Sequence, residues 1–99
     1  MKLCMRFSWK GLGSYDNMSG TATIVTAPPL HIIEAIEQVN WEMRKEYPLF
    51  NFKLTDEPVV TRNRVVPLWK RLLAKWRAGI HFRYLDNRSR DFVIVEVTK

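Results

Sequence analysis

The sequence predicts an α+β domain: an antiparallel sheet with two helices on one face, in the element order ββαββαββ. Three observations predict it. Apolar and polar residues alternate near the start of the chain, the period of a half-buried strand. Two internal segments place their apolar residues at helical spacing instead. Proline, glycine and Asn/Asp/Ser clusters fall between these segments, where turns belong. A chain of 99 residues reads as a single compact domain over 1–99.

In residues 2–9, Leu3, Met5, Phe7 and Trp9 point one way and Lys2, Cys4, Arg6 and Ser8 the other. This is the first strand. KGLGSYDNMSG, 10–20, reads as a loop, and the β-branched TATIVTA, 21–27, as the second strand of a long hairpin. Pro28 and Pro29 are expected to open a helix, since the first turn does not need their missing N–H. Over 30–46, Ile32, Ile36, Val39 and Met43 form a stripe flanked by Ile33 and Ala35, and Glu34, Glu37, Gln38, Glu42 and Lys45 lie opposite. Pro48 ends the helix and holds Tyr47 extended.

LFNFKL, 49–54, is a third strand, TDEP a turn, and 59–66 a fourth strand with a helical turn as its alternative. Pro67 opens a second helix, 67–78, capped by Gly79. Its apolar arc is Leu68, Trp69, Leu72, Leu73 and Trp76, and its basic face is Lys70, Arg71, Lys75 and Arg77. IHFRYL, 80–85, and DFVIVEV, 91–97, form a hairpin around DNRSR. Residues 21–85 alone have the β-α-β-β-α-β order of a ferredoxin-like core. The strands 2–9 and 91–97 would then be extra edge strands.

Cys4 is the sole cysteine, so an intramolecular disulfide and a cysteine metal cage are both excluded. Arg6 and Lys10 interrupt the N-terminal apolar run before a signal-peptide core forms. No apolar stretch approaches the roughly 20 residues of a membrane span. A reducing, cytoplasmic setting and no membrane partner are the expectation.

The formal net charge is +6. Residues 1–50 balance five basic against five acidic side chains, so the excess lies in 51–99. Within 61–90, nine basic residues (Arg62, Arg64, Lys70, Arg71, Lys75, Arg77, Arg83, Arg88 and Arg90) face one acid, Asp86. Such asymmetry points to an anionic partner, and DNA or RNA phosphates are the natural one. The same helix face also reads as an ordinary solvated Lys/Arg surface. In IHFRYL, Phe82 and Tyr84 could stack nucleobases, although Ile80 on their face favours a core role. The RNP1 pattern of RNA-recognition motifs is absent.

Trp41 is out of phase with its helix, among Glu34, Glu37, Gln38 and Lys45. It either packs under a neighbouring segment, with Lys45 against its ring, or anchors a partner. With Tyr15 in the loop 10–20, it marks a second candidate surface, for a protein partner or a homodimer. That alternative is a protein-binding or inhibitory accessory module, of the kind viruses and mobile elements encode, or a structural domain alone. The loop matches neither G-x-x-x-x-G-K-[ST] nor G-x-G-x-x-G. Catalytic groups are sparse: His31 and His81 lie fifty positions apart without metal-ligand spacing. A site would need one of them to meet Asp16, Asp86 or Asp91. The expectation is a non-enzymatic basic domain with no metal and no cofactor.

Overall fold

The computed structural model describes residues 2–62 and 79–98. Among them the order is β1 (Leu3–Gly11), a 3-10 turn (Gly13–Tyr15), β2 (Ser19–Thr26), α1 (Ile32–Arg44), β3 (Phe52–Leu54), β4 (Val59–Arg62), β5 (Ile80–Asp86) and β6 (Asp91–Thr98). All strands join one antiparallel sheet in the order β3-β1-β2-β6-β5, and β4 also pairs with β1.

This overturns the expected ββαββαββ order and its ferredoxin-like core. Mostly antiparallel sheet forms, with one α-helix among the described residues. The expected second helix, 67–78, lies outside them, as do 63–66 of the expected fourth strand. The strands assigned to the edges are central. β1 pairs with β2 from Leu3↔Thr26 to Lys10↔Ser19, and β6 takes the other side of β2 from Ser19↔Thr98 to Val25↔Phe92. Both sides of β2 are thereby filled, leaving no place beside it for β3, β4 or β5. β3 and β4 lie end to end along β1, at Trp9–Gly11 and Leu3–Arg6 respectively. The TDEP turn joins them, with Thr55 N–H donating to Ser8 O at 3.1 Å.

Burial explains the order. Val93, Ile94 and Val95 are all buried, and successive strand residues face opposite sides. A strand buried on both faces belongs inside a sheet. Cys4 with Met5, and Ile24 with Val25, repeat the pattern in β1 and β2. The short β4, exposed throughout, suits an edge.

The prolines do not start the helix. Pro28 precedes Pro29 and is held out of helical backbone; α1 begins at Ile32, with His31 extended at its N-cap. Ala35, Val39, Glu42 and Met43 are its buried residues. Ile33, expected beside the stripe, is 68% exposed. Glu42, expected on the polar side, is only 7% exposed. After the helix, Tyr47 N–H donates to Met43 O at 2.8 Å, and Arg44 Nε donates to Phe50 O at 2.8 Å. Leu49 turns with φ 63°, so only Phe52–Leu54 of the expected strand 49–54 is strand.

The core lies between α1 and one sheet face. Met5, Phe7 and Trp9 of β1, Ala22 and Ile24 of β2, and Val93 and Val95 of β6 meet Ala35, Val39 and Met43. Phe50 and Phe52 close one end, Phe50 meeting Trp9 edge-on at 5.5 Å and 88°. On the opposite face, Phe82 packs on Tyr84 and Phe92 with ring centroids 4.9 and 5.8 Å apart.

Candidate nucleic-acid interface

Of the nine basic residues of 61–90, Arg64, Lys70, Arg71, Lys75 and Arg77 lie outside the described residues. The other four separate into two groups. Arg83 stands on β5 opposite Val93, on the α1 side of the sheet. Its Nε lies 3.2 Å from Glu42 Oε2, without hydrogen-bond alignment, and its Nη2 donates to Gln38 Oε1. Lys45 Nζ joins the same Glu42 oxygen at 3.3 Å. Arg83 is thus a structural ion-pair residue and leaves the candidate set. The sequence hid this because Glu42 sits forty-one positions away and only packing brings it under β5.

Arg62, Arg88 and Arg90 are exposed, and none has a carboxylate at ion-pair distance among the described residues. They share one end of the sheet. Arg62 is opposite Leu3, Leu3 opposite Thr26, and Thr26 Oγ1 donates to Asp91 Oδ2 at 2.9 Å. Arg88 and Arg90 lie in the β5–β6 turn just before Asp91. At about 4.8 Å per strand, Arg62 and the turn are some 14 Å apart. Asp86 shapes that turn by accepting the Arg88 backbone N–H at 2.8 Å. That bond leads the groups holding its carboxyl below the ordinary value. Arg90 takes φ 59°.

Lys2 is the basic residue here that is neutralised. Its Nζ lies 3.2 Å from Asp91 Oδ1 and donates to Ser89 O. Burial raises the Asp91 pKa, but the bonds from Thr26 and Lys2, the Lys2 charge and Ser89 outweigh it, so the carboxyl titrates below its ordinary value. Sequence reasoning missed this clamp; no local spacing links positions 2, 26 and 91.

A cavity of about 540 Å³ opens on the face away from α1, lined by Arg6, Ser8, Thr21, Asp56, Glu57 and Glu96 among others. Among the described residues its lining holds one arginine and three carboxylates.

The second candidate surface divides. Tyr15 is not a free anchor. Its hydroxyl donates to Pro48 O, and its ring meets Phe50 at 5.5 Å and Tyr47 at 6.0 Å. The loop around it is tied back by Gly11 N–H to Met18 O at 2.9 Å and Leu12 N–H to Asn51 O at 2.9 Å. Trp41, in contrast, is 63% exposed on the outer side of α1. Glu37, Asn40, Arg44 and Lys45 line a shallow hollow with it, and Lys45 engages Glu42 rather than capping the ring.

His81 Nε2 lies 3.6 Å from Glu46 Oε2 and its ring packs near Tyr47; its carboxylate neighbour is none of Asp16, Asp86 and Asp91. His31 is the exposed N-cap of α1. No group of three or more metal-ligating side chains gathers among the described residues. No described helix is long and apolar enough to cross a membrane. Comparison with known protein families, with curated proteins and with solved structures finds no match.

Proposed function

We propose that this chain is a small non-enzymatic domain that binds nucleic acid through the basic groups of its second half. The observation that carries this reading is the end of the sheet where Arg62, Arg88 and Arg90 stand exposed and, among the described residues, unneutralised, while Arg83 and Lys2 are taken up by carboxylates. A surface that pairs some cations and leaves three on one side offers them to an external anion. The nine-to-one balance of 61–90 supports the same partner. Contacts of this kind go to phosphates, so they supply affinity and little sequence preference. A buried, unpaired Cys4 fits a reducing, cytoplasmic setting.

The test is fluorescence anisotropy with labelled single- and double-stranded oligonucleotides of DNA and RNA. Micromolar binding at about 50 mM salt is expected, falling steeply by about 200 mM. Replacing Arg62, Arg88 and Arg90 together by Gln removes three phosphate contacts and flattens the log–log salt slope by about 2 to 3. Replacing Lys70, Arg71, Lys75 and Arg77 by Gln weakens binding equally across sequences. Lys10 and Lys53 face each other at the opposite end of the sheet, and Lys10→Gln/Lys53→Gln is the control, with a smaller effect expected. No binding at low salt, or binding indifferent to salt, overturns the proposal.

A further inference from the structure

The outer side of α1 has a charge order that complements itself. Taking buried Val39 as the inward direction, the 100° step of a helix places Ile33, Glu34, Glu37, Trp41, Arg44 and Lys45 outward. The two acids lie in the first half of the helix and the two bases at its end. Trp41 lies between them, 63% exposed, and Ile33 is 68% exposed. Leu49, just past the helix, is 88% exposed. A helix that only faced solvent would need no tryptophan there.

We infer that this face pairs with itself, α1 against α1 of a second copy, antiparallel about a two-fold axis beside Trp41. Reversing the helix about a point near residue 40 sets Glu37 against Arg44 of the second copy and Glu34 against its Lys45. Trp41 meets its own counterpart on the axis. Ile33 reaches toward the stretch past the other helix, where Leu49 is exposed. A two-fold contact of this kind repeats each favourable pair twice. In a parallel pairing acids would face acids and bases face bases, so the charge order selects the antiparallel one.

The chemistry of the partner follows from the same pattern. An acidic or a basic partner of single sign would be repelled by half of this face, whereas a second copy matches both halves. The helix is about 20 Å long. One helix pair falls at or below the lower end of stable interfaces. The dimer is therefore weak and concentration-dependent, in the micromolar range or above. This inference does not rest on the nucleic-acid proposal; the arginines of that proposal lie off α1.

Sedimentation velocity from about 5 to about 500 µM tests it. The wild-type chain should shift from monomer to dimer, and Trp41→Ala should weaken the dimer at least tenfold. Glu34→Lys/Glu37→Lys makes the face wholly basic, and Arg44→Glu/Lys45→Glu makes it wholly acidic. Each variant alone should stay monomeric, and an equimolar mixture should form the heterodimer. Arg44 and Lys45 also make intramolecular bonds, so circular dichroism must show that the second variant is folded. If it is not, the first variant decides alone: dissociation supports the pairing and an unchanged dimer overturns it. A wild-type chain that remains monomeric at the highest concentration overturns it, as does a folded pair of variants that do not associate when mixed.

Discussion

Gly20 stands where no side chain fits. A Cβ built on it would lie 1.8 Å from Glu96 O and 2.8 Å from Cζ2 of Trp9. The bare backbone lets the Trp9 ring approach β2 closely and keeps β6 at ladder distance. Gly20→Ala should cost about 3 kcal/mol, the upper part of the usual range for overpacking. Urea denaturation would measure it, and a loss below about 1 kcal/mol would show that the strands part easily here. Tyr15 carries a different lesson. Its surroundings in sequence, glycine, serine, aspartate and asparagine, describe a loop correctly and say nothing of where the ring goes. The ring meets Phe50 and Tyr47 because the β1–β2 connection is tied to the segment that follows α1, through Leu12 N–H to Asn51 O and the Tyr15 hydroxyl to Pro48 O. Trp41 is the converse case. Its wrong phase on the helix was legible, and its 63% exposure removes the reading that packs it under a neighbouring segment.

Between elements, the join of α1 to β5 rests on a buried carboxylate. Glu42 receives Arg83 from the strand and Lys45 from its own helix. Removing Glu42 leaves the part-buried Arg83 guanidinium without its counter-ion, whereas removing Arg83 leaves Glu42 facing Lys45 alone. Glu42→Leu alone should cost about 3 kcal/mol and Arg83→Met alone less, since Lys45 still faces Glu42, whereas the double variant should recover much of the larger loss. Thermal denaturation of the four proteins in a double-mutant cycle checks this. Strictly additive losses would mean that the pair is not coupled. The helix itself was legible from its apolar spacing. Its start was not, because two adjacent prolines resemble a first turn until the restriction of the first by the second is counted. The central place of β6 had a sequence signal, the unbroken apolar Phe92–Val95, which argues for burial on both faces and against an edge.

Across the molecule, the clamp of Lys2, Thr26, Ser89 and Asp91 ties the start of β1 to the β5–β6 turn through β2. The folded state holds the Asp91 carboxyl below its ordinary value, so its stabilisation is present above the unfolded value of about 3.9 and is lost as pH falls through the folded one. Denaturation midpoints should be level from neutral pH to about 5 and fall below about 4. Asp91→Asn should lower the midpoint at neutral pH and reduce that fall, and an identical pH profile in both proteins would remove Asp91 from the account.

The sequence by itself determined the periodic strands of the two hairpins, the apolar stripe of the first helix, the single thiol, and a charge excess confined to 61–90. Each of these is local, because the periods 2 and 3.6 and the count of charges need no neighbour from elsewhere in the chain. Only the tertiary structure decided the strand order, since pairing joins residues such as Ser19 and Thr98 that no spacing relates. Only the structure, too, separated Arg83, neutralised by Glu42, from Arg62, Arg88 and Arg90, which stand free of carboxylates among the described residues. An arginine's availability depends on what packs beside it, and its own segment does not contain that information.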